Sequence, residues 1–291
     1  MNKIILSAIF AVTIFISFSE NASAVYSTDI IRDIPFAEVN EQTLYMNIIY
    51  PVEKVTPSPA IIWLHGGGWI SETKESAEIN GAFELAELGY VVVPIDYRFS
   101  DVALFPAQIH DLRGAIRFLR ANAVTYDIIP GRIGALGVSS GGTLALFAGM
   151  TNDEPAYWGD VGGNLEQSNN IKTVLNFFGS VSTSHLDELS VSKVGKIESL
   201  LGCEDAFMPE CADELAEFTV ENHSNVGDAI VETYHGTADN EVPYSQSKYV
   251  TTALKNDGVQ AKLNLTPGYG HEMSMFFDYL PKVKSFLKKN L

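Results

Sequence analysis

Arg132-Ile133-Gly134-Ala135-Leu136-Gly137-Val138-Ser139-Ser140-Gly141-Gly142 decides how the rest of this chain is read. An apolar run of strand character ends in a serine with glycine two residues before and two after, and a helical pattern, Gly141 to Met150, follows. This is the form of a nucleophile elbow. To lift a hydroxyl above a sheet, the chain must turn sharply from strand to helix with the serine in a strained conformation. Side chains two residues to either side would collide in such a turn, and glycine removes them. Ser139 meets the pattern, whereas Ser140 does not, because Val138 stands two residues before it. Chance supplies such a match in about one chain in ten of this size, so the motif needs partners.

Outward from the elbow, strand and helix patterns alternate almost to the end. Asp29 to Val39 and Gln42 to Tyr50 read as a hairpin. Ala60–Leu64, Tyr90–Ile95, Ile133–Val138, Val174–Phe178, Ala229–Tyr234 and Ala261–Leu265 are short apolar runs. Continuous runs, rather than alternation, mark strands covered on both faces, as in a parallel sheet. Pro106 suits a first helical turn, with Ile109, Leu112, Ile116 and Leu119 following at helical spacing. Tyr244 to Lys255 and Met275 to Lys289 are also helical. The fold class expected is α/β: a mostly parallel eight-stranded sheet with helices on both faces. Some fifty residues separate the sixth and seventh strands, far more than one crossover helix needs. An insertion over about 181–226 is expected there, above the carboxyl ends of the strands, where such sheets bind substrates.

The second chemical signal is His65-Gly66-Gly67-Gly68-Trp69, directly after a buried strand. Bare glycine amides approach a small anion closely, and fixed N–H donors stabilise the oxyanion formed when a carbonyl is attacked. Gly67 and Gly68 are the expected donors, joined by the amide of Ser140; His65 and Trp69 are substrate-pocket candidates. Ser139 also needs a base. His65 belongs to the glycine loop, His110 to an amphipathic helix, His185 and His223 to the insertion, and His235 ends a strand. His271 stands in a glycine-rich loop between the last strand and the last helix, from which an imidazole can reach over the sheet. Asp239, just past the seventh strand, is the expected orienting carboxylate, with Glu241 the runner-up. Serine, aspartate, histidine is the chain order of an α/β-hydrolase triad.

Composition bounds the rest. A net charge of −17, with Glu204, Asp205, Glu210, Asp213, Glu214, Glu217 and Glu221 close together, excludes nucleic acid and anionic membranes as partners. Met1-Asn2-Lys3, the apolar run Ile4 to Phe18 and Ala22-Ser23-Ala24 read as a signal peptide over residues 1–24, cleaved after Ala24. The mature chain, 25–291, is then one secreted or periplasmic domain with no membrane span. In an exported protein Cys203 and Cys211, close together in an acidic segment, read as a local disulfide, with a zinc pair as the alternative. No metal or organic cofactor is called for, and the oligomeric state is not legible.

The mature chain resembles an α/β-hydrolase of the esterase/lipase group that includes hormone-sensitive lipase. In pattern it is similar to small exported esterases like the bifunctional feruloyl and acetyl-xylan esterases. The resemblance runs through His65 to Trp69, Asp96-Tyr97-Arg98, Phe105-Pro106, Asp111, Pro130, Arg132-Ile133, Gly137 to Gly142, His235 to Pro243 and Gly270-His271. It implies a secreted serine esterase acting on short acyl or aryl esters, such as acetyl or feruloyl groups on plant polysaccharide. It also implies that Asp96, Arg98 and Asp111 lock the loop after the fourth strand to the next helix. Such families usually carry alanine where this chain has Ser140. A prolyl-oligopeptidase-type (S9-like) peptidase, an arylformamidase and a non-catalytic binding protein on the same scaffold are the alternatives.

Overall fold

The computed structural model describes residues 25–291, so the expected signal peptide and its cleavage site lie outside the described residues. In chain order the strands are β1 (Thr28–Val39), β2 (Gln42–Pro51), β3 (Ser58–Leu64), β4 (Val91–Ile95), β5 (Ile128–Val138), β6 (Thr173–Phe177), β7 (Ile230–Gly236) and β8 (Ala261–Thr266). They form one sheet in the order β1-β2-β4-β3-β5-β6-β7-β8. β1 and β2 are antiparallel, and β2 runs antiparallel to β4. Every pairing from β4 onward is parallel. The β1–β2 turn places Asn40 and Glu41 at φ 49° and 65°, the doubly left-handed geometry that a two-residue hairpin requires. β3, β4 and β6 are buried at every position, the physical origin of their unbroken apolar runs. β8, at the sheet's edge, is only partly covered.

The helices are α1 (Ser76–Ile79), α2 (Ala82–Glu87), α3 (Ala107–Ala121), α4 (Ser140–Met150), α5 (Val191–Leu201), α6 (Ala212–Phe218), α7 (Tyr244–Asn256) and α8 (Ser274–Asn290). They cover two separate apolar cores. Leu112 of α3, Leu144 of α4, Ile197 of α5 and Val250 of α7 share one. Leu85 of α2 and Phe276 and Val283 of α8 share the other with Trp63, Phe177 and Tyr234. α1 and α2 were not anticipated from sequence. Each is too short to display a helical period, and Gly81 separates them at φ 116°, where a β-carbon would run into the Phe276 ring.

The stretch from 181 to 226 folds as α5, α6 and short 3-10 turns and shares the first core through Val194, Ile197, Leu200 and Phe218. Within it Cys203 and Cys211 are disulfide-bonded, with Cα atoms 5.7 Å apart. Both sulfurs are consumed in that bond, which removes the zinc reading.

α4 is buried on every side, so it lacks an amphipathic stripe, and its packing depends on polar anchors at its ends. Three arginines of α3, spaced four and three residues apart, hold the chain that leaves it. Arg113 donates to the Ala148 carbonyl (2.9 Å), Thr151 Oγ1 (2.9 Å) and the Asn169 carbonyl (2.8 Å). Arg117 takes the carbonyls of Trp158, Val161 and Gly163, and Arg120 those of Pro130, Ser168 and Asn170. Fully buried Arg113 sits where α4 ends, and a cation is favoured at the negative end of the helix dipole. Arg113→Leu leaves three acceptors without donors inside the protein. We expect a loss of about 3 kcal/mol in urea unfolding; a loss below about 1 kcal/mol would show that water replaces the guanidinium.

Candidate active site

The turn from β5 into α4 holds Ser139 at φ 52° and ψ −123°, a conformation that an L-residue adopts only under constraint. The two glycines serve different contacts. A β-carbon on Gly137 would collide with the Gly141 backbone across the elbow, and one on Gly141 with the carbonyls of Leu64 and His65 at the end of β3. The Ser139 N–H donates to the Phe177 carbonyl at 2.9 Å, tying the elbow to β6.

The loops after β7 and β8 deliver two more groups to that hydroxyl. Ser139 Oγ donates to His271 Nε2 at 2.8 Å, and His271 Nδ1 donates to Asp239 Oδ2 at 2.7 Å. The Asp239 side chain is wholly buried, yet it accepts two backbone bonds besides, from the N–H groups of Glu241 and Val242, each 2.9 Å from Oδ1. Burial pushes its carboxyl up, but the hydrogen bonds from His235 and His271 prevail and hold it well below the ordinary carboxylate range. It therefore stays ionised and presents a full charge to the imidazole. Glu241, the runner-up from sequence, is exposed at the mouth of the cleft and contributes its backbone instead.

His235 is the residue that sequence reading passed over. It is buried, with Nε2 2.8 Å from the Val242 carbonyl and 3.1 Å from Asp239 Oδ2, and Nδ1 2.7 Å from Ser247 Oγ. A carbonyl only accepts, so Nε2 carries a hydrogen, which Asp239 shares. The i, i+4 spacing of His235 and Asp239 was the available signal, but the bond depends on the chain folding back after β7.

The glycine loop departs from expectation in two respects. The N–H groups of Gly67 and Ser140 have no acceptor among the described residues, and Gly67 sits at φ 91°. The Gly68 N–H, expected to be a third free donor, is instead bonded to Ser140 Oγ at 2.9 Å. Alanine at position 140 could not do this; the hydroxyl that replaces it claims the neighbouring amide. His65 and Trp69 do not line the cleft either, being 1% and 0% exposed. His65 Nδ1 donates to the Gly66 carbonyl at 3.0 Å, and its ring stacks on Tyr97 at 4.3 Å between centroids. The Tyr97 hydroxyl bonds the His65 and Gly66 carbonyls. Trp69 Nε1 donates to the Ser140 carbonyl at 3.1 Å, and its ring packs edge-on to Phe218 of α6. Both side chains brace the loop from beneath. Arg98 and Asp111, buried and doubly bonded, fasten the loop after β4 to α3.

Above these groups lies an open cleft of about 420 Å³, walled by Gly67, Ser139, Phe178, His271, Lys193 and Lys196 among others. A hydroxyl bonded to an imidazole, a buried carboxylate behind that ring and free amides beside the hydroxyl can transfer an acyl group.

The BD-FAE family model matches residues 46–254, and the chain belongs to that family. A truncated form of a carbohydrate esterase from gut microbiota superposes with a TM-score of 0.82 at 30% identity, covering 92% of this chain and 98% of that one. Esterase LipC of Mycobacterium tuberculosis is 29% identical over 123 residues, 42% of this chain and 30% of that protein. The chain thus spans less than a third of the length of such curated relatives. Esterase 2 of Thermogutta terrifontis, at 22% identity, a TM-score of 0.72 and coverage of 90% and 92%, shares the fold.

Burial holds the His65 imidazole down at about 4, so the ring is neutral in the folded loop. The unfolded chain takes up this proton near pH 6.5 and the folded chain only near 4. Its contribution is therefore complete above pH 6.5 and is lost as pH falls toward 4, by about 3 kcal/mol in total. Between pH 7.5 and pH 4, wild type should lose about that much more unfolding free energy than His65→Asn. Equal losses would mean that the ring protonates in place.

Proposed function

We propose that this BD-FAE family member is an exported serine carboxylic-ester hydrolase acting on short acyl or aryl esters, such as acetyl or feruloyl groups on plant polysaccharide. The continuous relay from Ser139 Oγ through His271 to buried Asp239 carries the reading. Ser139 Oγ attacks the ester carbonyl while His271 Nε2 takes its proton; Asp239 steadies the imidazolium. The amides of Gly67 and Ser140 receive the oxyanion. His271 returns the proton to the departing alcohol, leaving an acyl-serine. Water, deprotonated by the same imidazole, then attacks that acyl-serine, releasing the acid and restoring Ser139. Likeness to a carbohydrate esterase over nearly its whole length supports the carbohydrate-linked substrate class. Export rests on the pattern of residues 1–24, and a mature protein beginning at Val25 by mass spectrometry would support it.

Ser139→Ala should fold with an unchanged circular dichroism spectrum, resist labelling by a fluorophosphonate and lose at least ~10³-fold in p-nitrophenyl acetate hydrolysis. Activity close to wild type would sink the assignment. Ser140→Ala frees the Gly68 N–H, and turnover of the same ester should rise several-fold. A tenfold fall would instead assign the oxyanion contact to the Ser140 hydroxyl.

A further inference from the structure

Two cations stand in the cleft with no carboxylate in ion-pair contact among the described residues. Lys193 and Lys196 project from the first half of α5 into the space that holds Ser139 and His271. Lys193 is more than nine-tenths buried; its ammonium lies 5.5 Å from the centroid of the Trp69 ring and has no hydrogen-bond partner among the described residues. Lys196 lies across Gly68 so closely that a β-carbon there would come 3.0 Å from its Nζ. The ion pairs that lysines make among the described residues belong to Lys74 and Lys262.

This arrangement is costly three times over. A lysine in the first turn of a helix faces the positive end of the dipole, a buried ammonium loses hydration, and two like charges share one wall. Burial, with Lys196 beside it, pulls the Lys193 ammonium down to about 8, while Glu241 and Asp239 draw it back up. Glu72, Glu241 and Glu272 also border the cleft, but all three are exposed side chains at its mouth, and none closes on either ammonium. The relay and the oxyanion donors use neither lysine. On a chain of net charge −17, an inward-facing cationic wall is the place where an anion is attracted rather than repelled.

We propose that Lys193 and Lys196 bind an anionic group of the substrate, so that the ester cleaved here carries a carboxylate on its alcohol or its acyl part. A uronic-acid ester and a dicarboxylate half-ester have this chemistry. The proposal rests on the esterase reading and narrows it.

Two matched pairs test it. 4-Acetoxybenzoate against methyl 4-acetoxybenzoate places the charge on the alcohol, and mono-p-nitrophenyl adipate against p-nitrophenyl hexanoate places it on the acyl chain. In at least one pair the anionic member should have the higher kcat/KM, by about tenfold or more at low salt. Raising NaCl from 0.05 to 0.5 M should erode that advantage several-fold, which stands as evidence even if variants misfold. Lys193→Met with Lys196→Met, or Lys196→Gln alone, should bring the ratio toward one. Ratios near one in both wild-type pairs overturn the proposal. So does an equal fall for both members in the variants, which would give the lysines to the oxyanion. Failure to hydrolyse any of the four esters overturns the esterase reading, and this inference with it.

Discussion

The conformation of a single residue sets the geometry of the cleft. Ser139 is held at φ 52° where the chain turns from β5 into α4. Gly137 and Gly141 leave just the space that each other's backbone and the end of β3 occupy, and the bond to Phe177 fixes the turn from the side. A strain of about 1–3 kcal/mol is kept in place by this surrounding backbone. The same turn leaves the Ser140 N–H, the first amide of α4, without an acceptor among the described residues, so a hydroxyl and an unpaired donor come from consecutive residues of one rigid corner. The loops after β7 and β8 then need only bring an imidazole to a fixed point.

That corner is supported by charge placed far from it. Nothing on the surface of α4 tells it which way to face, since every residue is buried. Arg113 grips its last turn, and Arg117 and Arg120 fasten the chain that follows. These guanidiniums find carbonyls rather than carboxylates, so the helix is anchored without acidic partners being buried. Asp239 is handled in the opposite manner: its negative charge is buried and then surrounded with donors from His235, His271 and two backbone amides.

The sheet was legible because its chemistry is local. Continuous apolar runs named the strands of the parallel core, while their order across the sheet emerged only with the structure. Ser139, Asp239 and His271 could be picked out as a set because each stands just past a strand, and the structure brings their side chains within hydrogen-bonding distance. What escaped depended on contacts between distant segments. His235 reads as the end of a strand until the chain turns back over it. His65 and Trp69, beside the glycine loop, read as pocket walls, yet their polar atoms point to Gly66 and Ser140 and carry the rings inward. The Gly68–Ser140 bond joins residues 72 apart, and no pattern within either motif encodes it. Likewise α5 shows an ordinary apolar face in sequence; that its lysines look into the cleft is set by how the excursion lies down.

Trp69 and Phe218 meet edge-on, one from the glycine loop and one from the excursion between β6 and β7. Phe105 also packs against Phe218, and Leu104 against Gly202, so α6 and the end of α5 are keyed to two separate loops of the scaffold. The excursion is therefore not a detachable cassette. A lineage or an engineer exchanging it for another would have to exchange Trp69 along with it, and Trp69 holds the carbonyl of Ser140. A rearrangement of this segment is thus carried, through the Trp69 ring and its indole N–H, to the backbone beside Ser139.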